Sequence, residues 1–230
     1  MVSSDEQTLF KNAADKIRQY NQLCLHYDLL AQAVYLELRK SRAPFSPRYE
    51  LHLIAALISF DMGRMMGKGL SQRYDVQAGG FATRLHKKLT EVQPLLMPII
   101  NSSLIEVEVE KHKSDIISAY DNFADGGKGG LNAEENDFHV GTTKILHFLN
   151  PELFAIIDGN TAKTLSQVCG IPYRNTTQPG YSSKFYTQSL SVIKGLIGAY
   201  GTDQFRALEN GTPIMRIFDK IAFAHKAFAT

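Results

Sequence analysis

Cysteine is scarce in this chain, and its scarcity limits the kinds of site to expect. Cys24 and Cys169 are the two cysteines of the 230 residues, and they lie far apart, without a CxxC spacing or a neighbouring histidine cluster. A disulfide framework and a cysteine-ligated zinc site are therefore not expected. Because the first residues do not read as a signal sequence, we expect a cytoplasmic protein with buried structural thiols.

Long apolar runs and a strong net charge are also lacking. The longest apolar stretches, such as HLIAALISF, are much shorter than the roughly 20 residues of a membrane-spanning helix, so no membrane contact is expected. The formal net charge is +2, which neither demands nor excludes a nucleic-acid partner, and any basic surface must be local. A hydrophobic content of 44% with 21% charged residues argues against wholesale disorder.

Apolar spacing predicts a mostly helical chain. Apolar residues recur at steps of three and four in residues 5–41, which places them on one face of a long helix: Leu23, Tyr27, Leu30, Val34 and Leu38. Further helices are predicted at 48–66, 81–92, 142–149 and 183–199, and after Thr212 as a helix cap. We expect an all-α fold in one domain over 1–230, with lobes of about 1–135 and 136–230.

One segment, residues 104–110, alternates apolar and acidic side chains, which taken alone favours a strand. A single strand has nothing to pair with, and no partner run is evident elsewhere in the chain. We therefore interpret this segment as an irregular or helical piece.

The stretch GTTKILHFLNPELFAIIDGNTAKTL, residues 141–165, has the features of a functional site. Gly141 should precede a helix that carries Lys144 on an otherwise apolar face. Asp158 should begin the next helix, where its carboxylate can accept the free amides of Asn160 or Thr161. Two helix starts in close succession also form a place where exposed N–H groups can meet a phosphate.

The segments VGTTKILHF and PELFAIIDGNTAKTL resemble the helix-hairpin-helix DNA glycosylase superfamily, and in particular its divergent 8-oxoguanine-glycosylase-like branch. The resemblance implies a two-lobed helical fold that acts on a flipped DNA base in a cleft between the lobes. It also implies that Lys144 attacks the sugar and that Asp158 stabilises positive charge there. No cofactor and no metal are implied. The hairpin HVGTTK has one glycine where the superfamily usually has two, and the interval from Lys144 to Asp158 is shorter.

Other residues could contact nucleic acid if the resemblance holds. The hairpin residues Gly141, Thr142 and Thr143, the loop residue Lys128, and the basic cluster Arg39, Lys40 and Arg42 are the candidates for DNA contact. Arg64, an arginine in an apolar helix that must pair or line a cleft, and Tyr181, an aromatic suited to stacking, are the candidates for the cleft.

Each of these features also has an ordinary structural interpretation. Asp158 can be a plain helix cap, Lys144 a solvated side chain, and the basic cluster a solvated surface. His139 and His147 are eight residues apart, too far for a single-turn metal pair, and are interpreted as core or surface histidines. A non-catalytic nucleic-acid-binding module on the same scaffold and a helical interaction protein therefore stay open as alternatives.

Overall fold

The structure is a computed structural model that describes residues 8–60, 80–126, 130–131, 138–171 and 182–228. Its α-helices are α1 (Ala13–Ser41), α2 (Pro47–Phe60), α3 (Phe81–Leu96), α4 (Lys113–Ala124), α5 (His139–Leu149), α6 (Gly159–Cys169), α7 (Ser183–Tyr200), α8 (Thr202–Ala207) and α9 (Ile214–Ala227). A 3-10 helix at Val109–His112 precedes α4. No strand occurs within these ranges, so the prediction of an all-α fold is confirmed for them, and residues 104–110 do not form a strand.

Helix α1 is the longest element and differs from its predicted form. It begins after Asn12, whose backbone is left-handed, and it kinks at Cys24, where the dihedral angles leave the helical region. Leu23 and Leu30, predicted to lie on the buried face, are 63% and 37% exposed. The prediction from apolar spacing assumed an unbroken helix, and it was wrong at these two residues.

The next helices follow the predicted positions with shifted ends. Helix α2 starts one residue before its predicted start, and residues 61–66 of that prediction lie outside the described residues. Helix α3 continues to Leu96 and contains Pro94 in its last turn, beyond the predicted end at Val92. A proline removes one backbone donor, and near the end of a helix this loss is tolerated.

The packing brings the two ends of the described chain together. Helix α9 packs against α1 and α6, α2 packs against α1, and α4 lies between α3, α5 and α7. The buried apolar side chains of these elements form one continuous core. The division into two lobes near residue 135 is not tested by these contacts and stays a prediction.

The hairpin between α5 and α6 begins earlier than predicted. Helix α5 starts at His139, so Gly141 lies inside it rather than before it, and that prediction was wrong. The ring of Phe138 occupies the space beside Gly141, where a Cβ atom would lie 2.1 Å from the ring carbons. At the other end of α5, Asn150 accepts a hydrogen bond from the Glu152 amide at 3.0 Å, as expected of a residue that caps a turn.

The last helices show one correct and one incorrect boundary. Helix α7 ends at Tyr200, one residue beyond the predicted end at 199, and Gly201 follows it as the predicted stop. The φ of Gly201, 99°, lies in the region that glycine adopts readily. The cap position of α9 is taken by Pro213, not by the predicted Thr212, and the helix begins at Ile214. Proline supplies a suitable fixed φ at this point but no side-chain acceptor.

Two further predictions concern the thiols and the membrane. Cys24 and Cys169 are free and half-buried, so they are less buried than predicted. Within the described ranges, each helix is too short or too polar to span a bilayer.

Candidate functional site

A cavity of about 210 Å³ lies where α1, α2, α5 and α9 meet the start of α6. We call it the Lys144–Asp158 cavity, after the two residues that the sequence singled out and that both line it. Its described lining residues are Tyr20, Tyr27, Phe60, Val140, Lys144, Ile156, Asp158, Arg216, Asp219 and Phe223. Both predicted lobes contribute to this lining, since Tyr20, Tyr27 and Phe60 come from residues before 135.

Asp158 lies at the N-terminus of α6 and acts as its cap. One carboxylate oxygen, Oδ1, accepts the backbone amides of Asn160 and Thr161, each at 2.9 Å. The predicted helix cap is therefore confirmed. The same side chain caps α6 and lines the cavity. A structural role for Asp158 therefore does not exclude a chemical role.

Lys144 projects from α5 into the same cavity and is half-buried. Its Nζ atom donates to the backbone carbonyl of Phe60 at 3.4 Å. The same atom lies 5.6 Å from the centroid of the Phe60 ring. These contacts hold the amine at the wall that α2 contributes.

A buried network of charges forms the floor of the cavity, and the sequence pattern does not predict it. Arg216 is 1% exposed. Its Nε and Nη2 atoms donate to Oδ1 of Asp28 at 3.1 and 2.8 Å, and Nη2 also donates to the Tyr20 hydroxyl at 2.8 Å. Nη1 pairs with Oδ2 of Asp219. The remaining oxygen of Asp28 pairs with Lys220 at 2.6 Å.

Aromatic rings enclose the guanidinium of Arg216 as well. Its central carbon lies 4.9 Å from the ring centroid of Tyr20 and 5.5 Å from that of Phe60. A guanidinium stacked on aromatic faces gains cation–π attraction, which is strongest where water is excluded. The network is thus held by rings as well as by carboxylates.

Asp219 is the second carboxylate of the cavity and is 3% exposed. Burial raises the pKa of Asp219 to about 7, the nearby Arg216 opposes that rise, and Asp158 adds to it. Oδ2 of Asp219 is paired with Arg216, whereas Oδ1 has a long contact of 3.5 Å with the Thr161 hydroxyl. The signal in the sequence was the pair Arg216 and Asp219, three residues apart in an apolar helix, where a charge must find a partner.

The hairpin residues predicted to contact nucleic acid are buried. Gly141 lies under the Phe138 ring, and Thr142 and Thr143 are 0% and 1% exposed. The Thr143 hydroxyl donates to the Val140 carbonyl at 3.0 Å and accepts the Ile157 amide at 3.1 Å. In the described structure, Thr143 therefore connects α5 to the segment that leads into Asp158.

The basic cluster of Arg39, Lys40 and Arg42 is exposed at the end of α1. In the part of the chain that the structure describes, these three side chains have no ion-pair partner. Arg39 and Arg42 line a groove of about 880 Å³, which we call the basic groove. Arg206, also in the groove, pairs with Glu152 at 2.9 Å. Three other predicted site residues, Arg64, Lys128 and Tyr181, lie outside the described residues.

His139 and His147 both contact other side chains of the fold. His147 is fully buried, with Nδ1 at 2.7 Å from the Phe154 carbonyl and Nε2 at 2.6 Å from the Tyr35 hydroxyl. Burial lowers the pKa of His147 to about 3, so this ring is neutral at ordinary pH and bridges two elements of the core. The ring of His139 stacks on Tyr120. Among the described side chains, no group of three acidic, histidine or cysteine residues could hold a metal ion.

Comparison of this chain with protein-family models, with curated proteins and with solved structures gives no match. The assignment of a function therefore depends on the chemistry that the cavity can perform.

Proposed function

We propose that this chain cleaves N-glycosidic bonds in DNA, as a base-excision glycosylase that receives a flipped base in the Lys144–Asp158 cavity. The observation that supports the proposal is that an amine and a carboxylate, singled out by their sequence context, line one cavity. A fold by itself does not establish an activity, so the proposal stands on the placement of these two groups.

The walls of the cavity suit a planar, aromatic guest. Tyr20, Tyr27, Phe60 and Phe223 all line it, and aromatic side chains stack on any nucleobase because every base has a π-face. The volume of about 210 Å³ is smaller than the roughly 300–1,000 Å³ of pockets for drug-sized ligands. A single base that has left the DNA stack is a guest of the right class.

Asp158 would supply the electrostatic part of the reaction. When the C1′–N bond breaks, its electron pair leaves with the base, and positive charge develops on the sugar ring. A fixed carboxylate beside that charge stabilises the transition state. Because the α6 amides hold Oδ1 of Asp158, this carboxylate needs little reorganisation as the charge appears.

Lys144 would make the enzyme a lyase as well as a glycosylase. In its neutral form, the amine gives its lone pair to C1′ as the base departs, and a C–N bond forms. One proton then moves from this nitrogen to O4′ while the C1′–O4′ bond breaks, which leaves a protonated Schiff base. For strand cleavage, a C2′ proton passes to water and the C3′–O bond breaks, so the 3′ phosphate leaves with the electron pair. Water then hydrolyses the Schiff base to an unsaturated aldehyde and the free amine. Before this step, the ammonium group must transfer one proton to solvent, because only the neutral amine has a lone pair to give.

The Asp158→Asn substitution tests the glycosylase proposal. Asparagine is also a good helix cap, so the fold should persist while the negative charge is lost. We expect free-base release to fall by about 10²-fold or more, the range for removal of a preorganised electrostatic group. Release is measured by chromatography on duplexes that carry uracil, hypoxanthine, 8-oxoguanine or 7-methylguanine.

The matched control is Asp203→Asn, an exposed acid in the first turn of α8 that does not line the cavity. Its release rate should equal that of the unmodified chain. If the unmodified chain releases no base from the whole panel, or if Asp158→Asn releases base at the same rate, the glycosylase proposal is contradicted.

Borohydride reduction tests the lyase step separately. If Lys144 forms a Schiff base, reduction in the presence of abasic DNA will produce a covalent protein–DNA adduct, and Lys144→Gln will abolish it. Base release without an adduct would show a glycosylase that uses water in place of the amine, and would remove only the lyase step.

A non-catalytic nucleic-acid-binding module is the second candidate. The observation that favours it is the exposed cluster of Arg39, Lys40 and Arg42, which has no ion-pair partner among the described residues and borders the basic groove. Such a module would bind DNA in a salt-dependent way and would be indifferent to Asp158→Asn.

A further inference from the structure

The Lys144–Asp158 cavity contains two carboxylates whose surroundings differ. Asp158 lies at its edge, half-buried, and its Oδ1 atom is held by two helix amides. Asp219 lies at its floor, 3% exposed, on the turn of α9 that also carries Arg216. When two titratable groups share a site in different surroundings, one can act as an acid while the other acts as a charge.

The oxygens of Asp219 are not equivalent. Oδ2 is occupied by Nη1 of Arg216, which fixes the plane of the carboxyl group. Oδ1 has only the long, 3.5 Å contact with the Thr161 hydroxyl among the contacts seen in the described residues. A proton on Asp219 would therefore reside on Oδ1, the oxygen not committed to the arginine.

We propose that Asp219 is the general acid of this site and gives its Oδ1 proton to the base as the base leaves the sugar. The inference rests on the proposed glycosylase function and names the proton donor that this function needs. A neutral base that leaves with the bonding electron pair is an anion until it gains a proton.

The step balances in atoms and charge. The C1′–N bond breaks and its electron pair stays on the base nitrogen. The O–H bond of Asp219 breaks, the proton joins the base, and Asp219 becomes a carboxylate beside Arg216. Asp158 remains ionised throughout and faces the positive charge on the sugar. When water adds to the sugar or to the Schiff base, the proton it releases returns to Asp219.

The protonation state of Asp219 near neutral pH suits this role. Its pKa is raised to about 7, mainly by burial, with Arg216 opposing the rise and Asp158 adding to it. At and below pH 7, a large fraction of the molecules therefore carries the proton. A proton donor works best when its pKa is close to the working pH.

The charged and titratable groups around Asp219 come from each element packed near it. Its own helix contributes Arg216 and Lys220, and α1 contributes Asp28, Tyr20, Tyr35 and Cys24. The start of α6 contributes Asp158, and α5 contributes Lys144 across the cavity. Helix α8 also packs against α9, but its Arg206 pairs with Glu152 instead.

The test compares a base that needs a proton with one that does not. 7-Methylguanine carries a positive charge in DNA and leaves as a neutral molecule, whereas 8-oxoguanine, hypoxanthine and uracil need protonation. Asp219→Asn should slow release of a neutral base by about 10²- to 10⁴-fold, the usual contribution of a general acid. It should slow 7-methylguanine release by only a few-fold.

The pH profile provides an independent measurement on the unmodified chain. Since the protonated form is active, release of a neutral base should fall as pH rises through about 7, and release of 7-methylguanine should not. Asp219→Glu keeps a proton donor and should keep the falling limb, whereas Asp219→Asn should lose it.

The outcomes separate the two proposals. No release of any base by the unmodified chain would contradict the proposed function. Release that is equally slowed by Asp219→Asn for charged and neutral bases would assign Asp219 a structural role and overturn this inference alone. If Asp219→Asn does not fold, as judged by its thermal melt, the unmodified chain decides. Neutral-base release that is constant from pH 6 to 9 overturns the inference, and a falling limb supports it.

Discussion

At the scale of single residues, Arg216 holds the buried charges of the site together. It is a fully buried cation that touches two carboxylates and a tyrosine hydroxyl, and two aromatic rings lie beside it. A buried ion pair is costly to assemble, because both charges lose their water, but removing one partner is worse because the other charge stays unpaired. Arg216 therefore fixes the positions of Asp219 and Asp28 more than it adds net stability.

Replacing Arg216 should destabilise the fold strongly. At pH 9, Arg216→Met leaves the Asp219 carboxylate without its cation, while Asp28 keeps Lys220, and we expect a loss of about 3–5 kcal/mol in the free energy of unfolding. The matched control is Arg18→Met, which removes an exposed pair with Asp15 whose side chains are 68% and 57% exposed. Exposed pairs contribute about 0–1 kcal/mol. Urea unfolding of both variants measures the difference.

The destabilisation caused by Arg216→Met should also depend on pH. The pKa of Asp219 in the folded chain, about 7, is above its ordinary value of 3.8. Its contribution to stability is therefore present at low pH and is lost as pH rises towards 7. Without Arg216 the pKa of Asp219 rises further. The variant therefore continues to lose stability as the pH rises above 7, where the unmodified chain no longer does. The destabilisation by Arg216→Met should be larger at pH 9 than at pH 7, and an equal loss at both values would contradict this account.

At the scale of elements, the junction of α5 and α6 sets the geometry of the cavity. The Thr143 hydroxyl joins the two segments through Val140 and Ile157, and the Phe138 ring lies against Gly141. These contacts hold the turn of α5 that carries Lys144 close to the segment that carries Asp158. The glycine is needed for close packing, since its φ is not in the left-handed region.

Two glycine-to-alanine changes should have opposite effects. Gly141→Ala would place a Cβ atom 2.1 Å from the Phe138 ring, and we expect a destabilisation of about 1–3 kcal/mol from overpacking. Gly198→Ala, at an exposed position of α7 with nothing within 4 Å of the new Cβ, should stabilise the chain by about 0.5–1 kcal/mol. Thermal or urea unfolding measures both, and a neutral Gly141→Ala would show that the ring can move at little cost.

Local signals in the sequence predicted parts of the fold, and long-range contacts account for what they missed. The cap at Asp158 and the end of α7 at Gly201 follow from the residue types alone, because caps and left-handed turns are decided within a few residues. The kink at Cys24 and the exposure of Leu23 do not follow from any periodic pattern. Arg216 meets Asp28 across 188 residues, and a single sequence does not indicate which distant carboxylate an arginine will reach.

At the scale of the whole molecule, the basic groove and the Lys144–Asp158 cavity are both built on α1. Tyr27 lines the cavity and Arg39 lines the groove. At 1.5 Å per residue, the two positions are about 18 Å apart along the helix. A DNA backbone bound in the groove and a base bound in the cavity would therefore both contact α1.

This arrangement predicts a salt-dependent contribution from the basic cluster. The combined substitution of Arg39, Lys40 and Arg42 by glutamine should weaken DNA binding and lower the slope of log affinity against log salt. The expected decrease is about 0.9 for each phosphate that the protein no longer neutralises. Electrophoretic mobility shifts at several salt concentrations measure the slope.

The control for this prediction is the combined substitution of Lys11, Lys163 and Lys184 by glutamine, which removes the same charge from exposed positions outside the groove. The same slope in both variants would show that the contribution comes from net charge and not from the groove.

The cavity is completed by the last helix described, since Arg216, Asp219 and Phe223 all belong to α9. During synthesis on a ribosome, Asp28 emerges long before the arginine that neutralises it. A nascent chain that ends before α9 therefore has Lys144 and Asp158 but lacks the three side chains of α9 that line the cavity. Under the proposed function, a chain truncated before α9 would be inactive, because the cavity is complete only after the last described helix has packed.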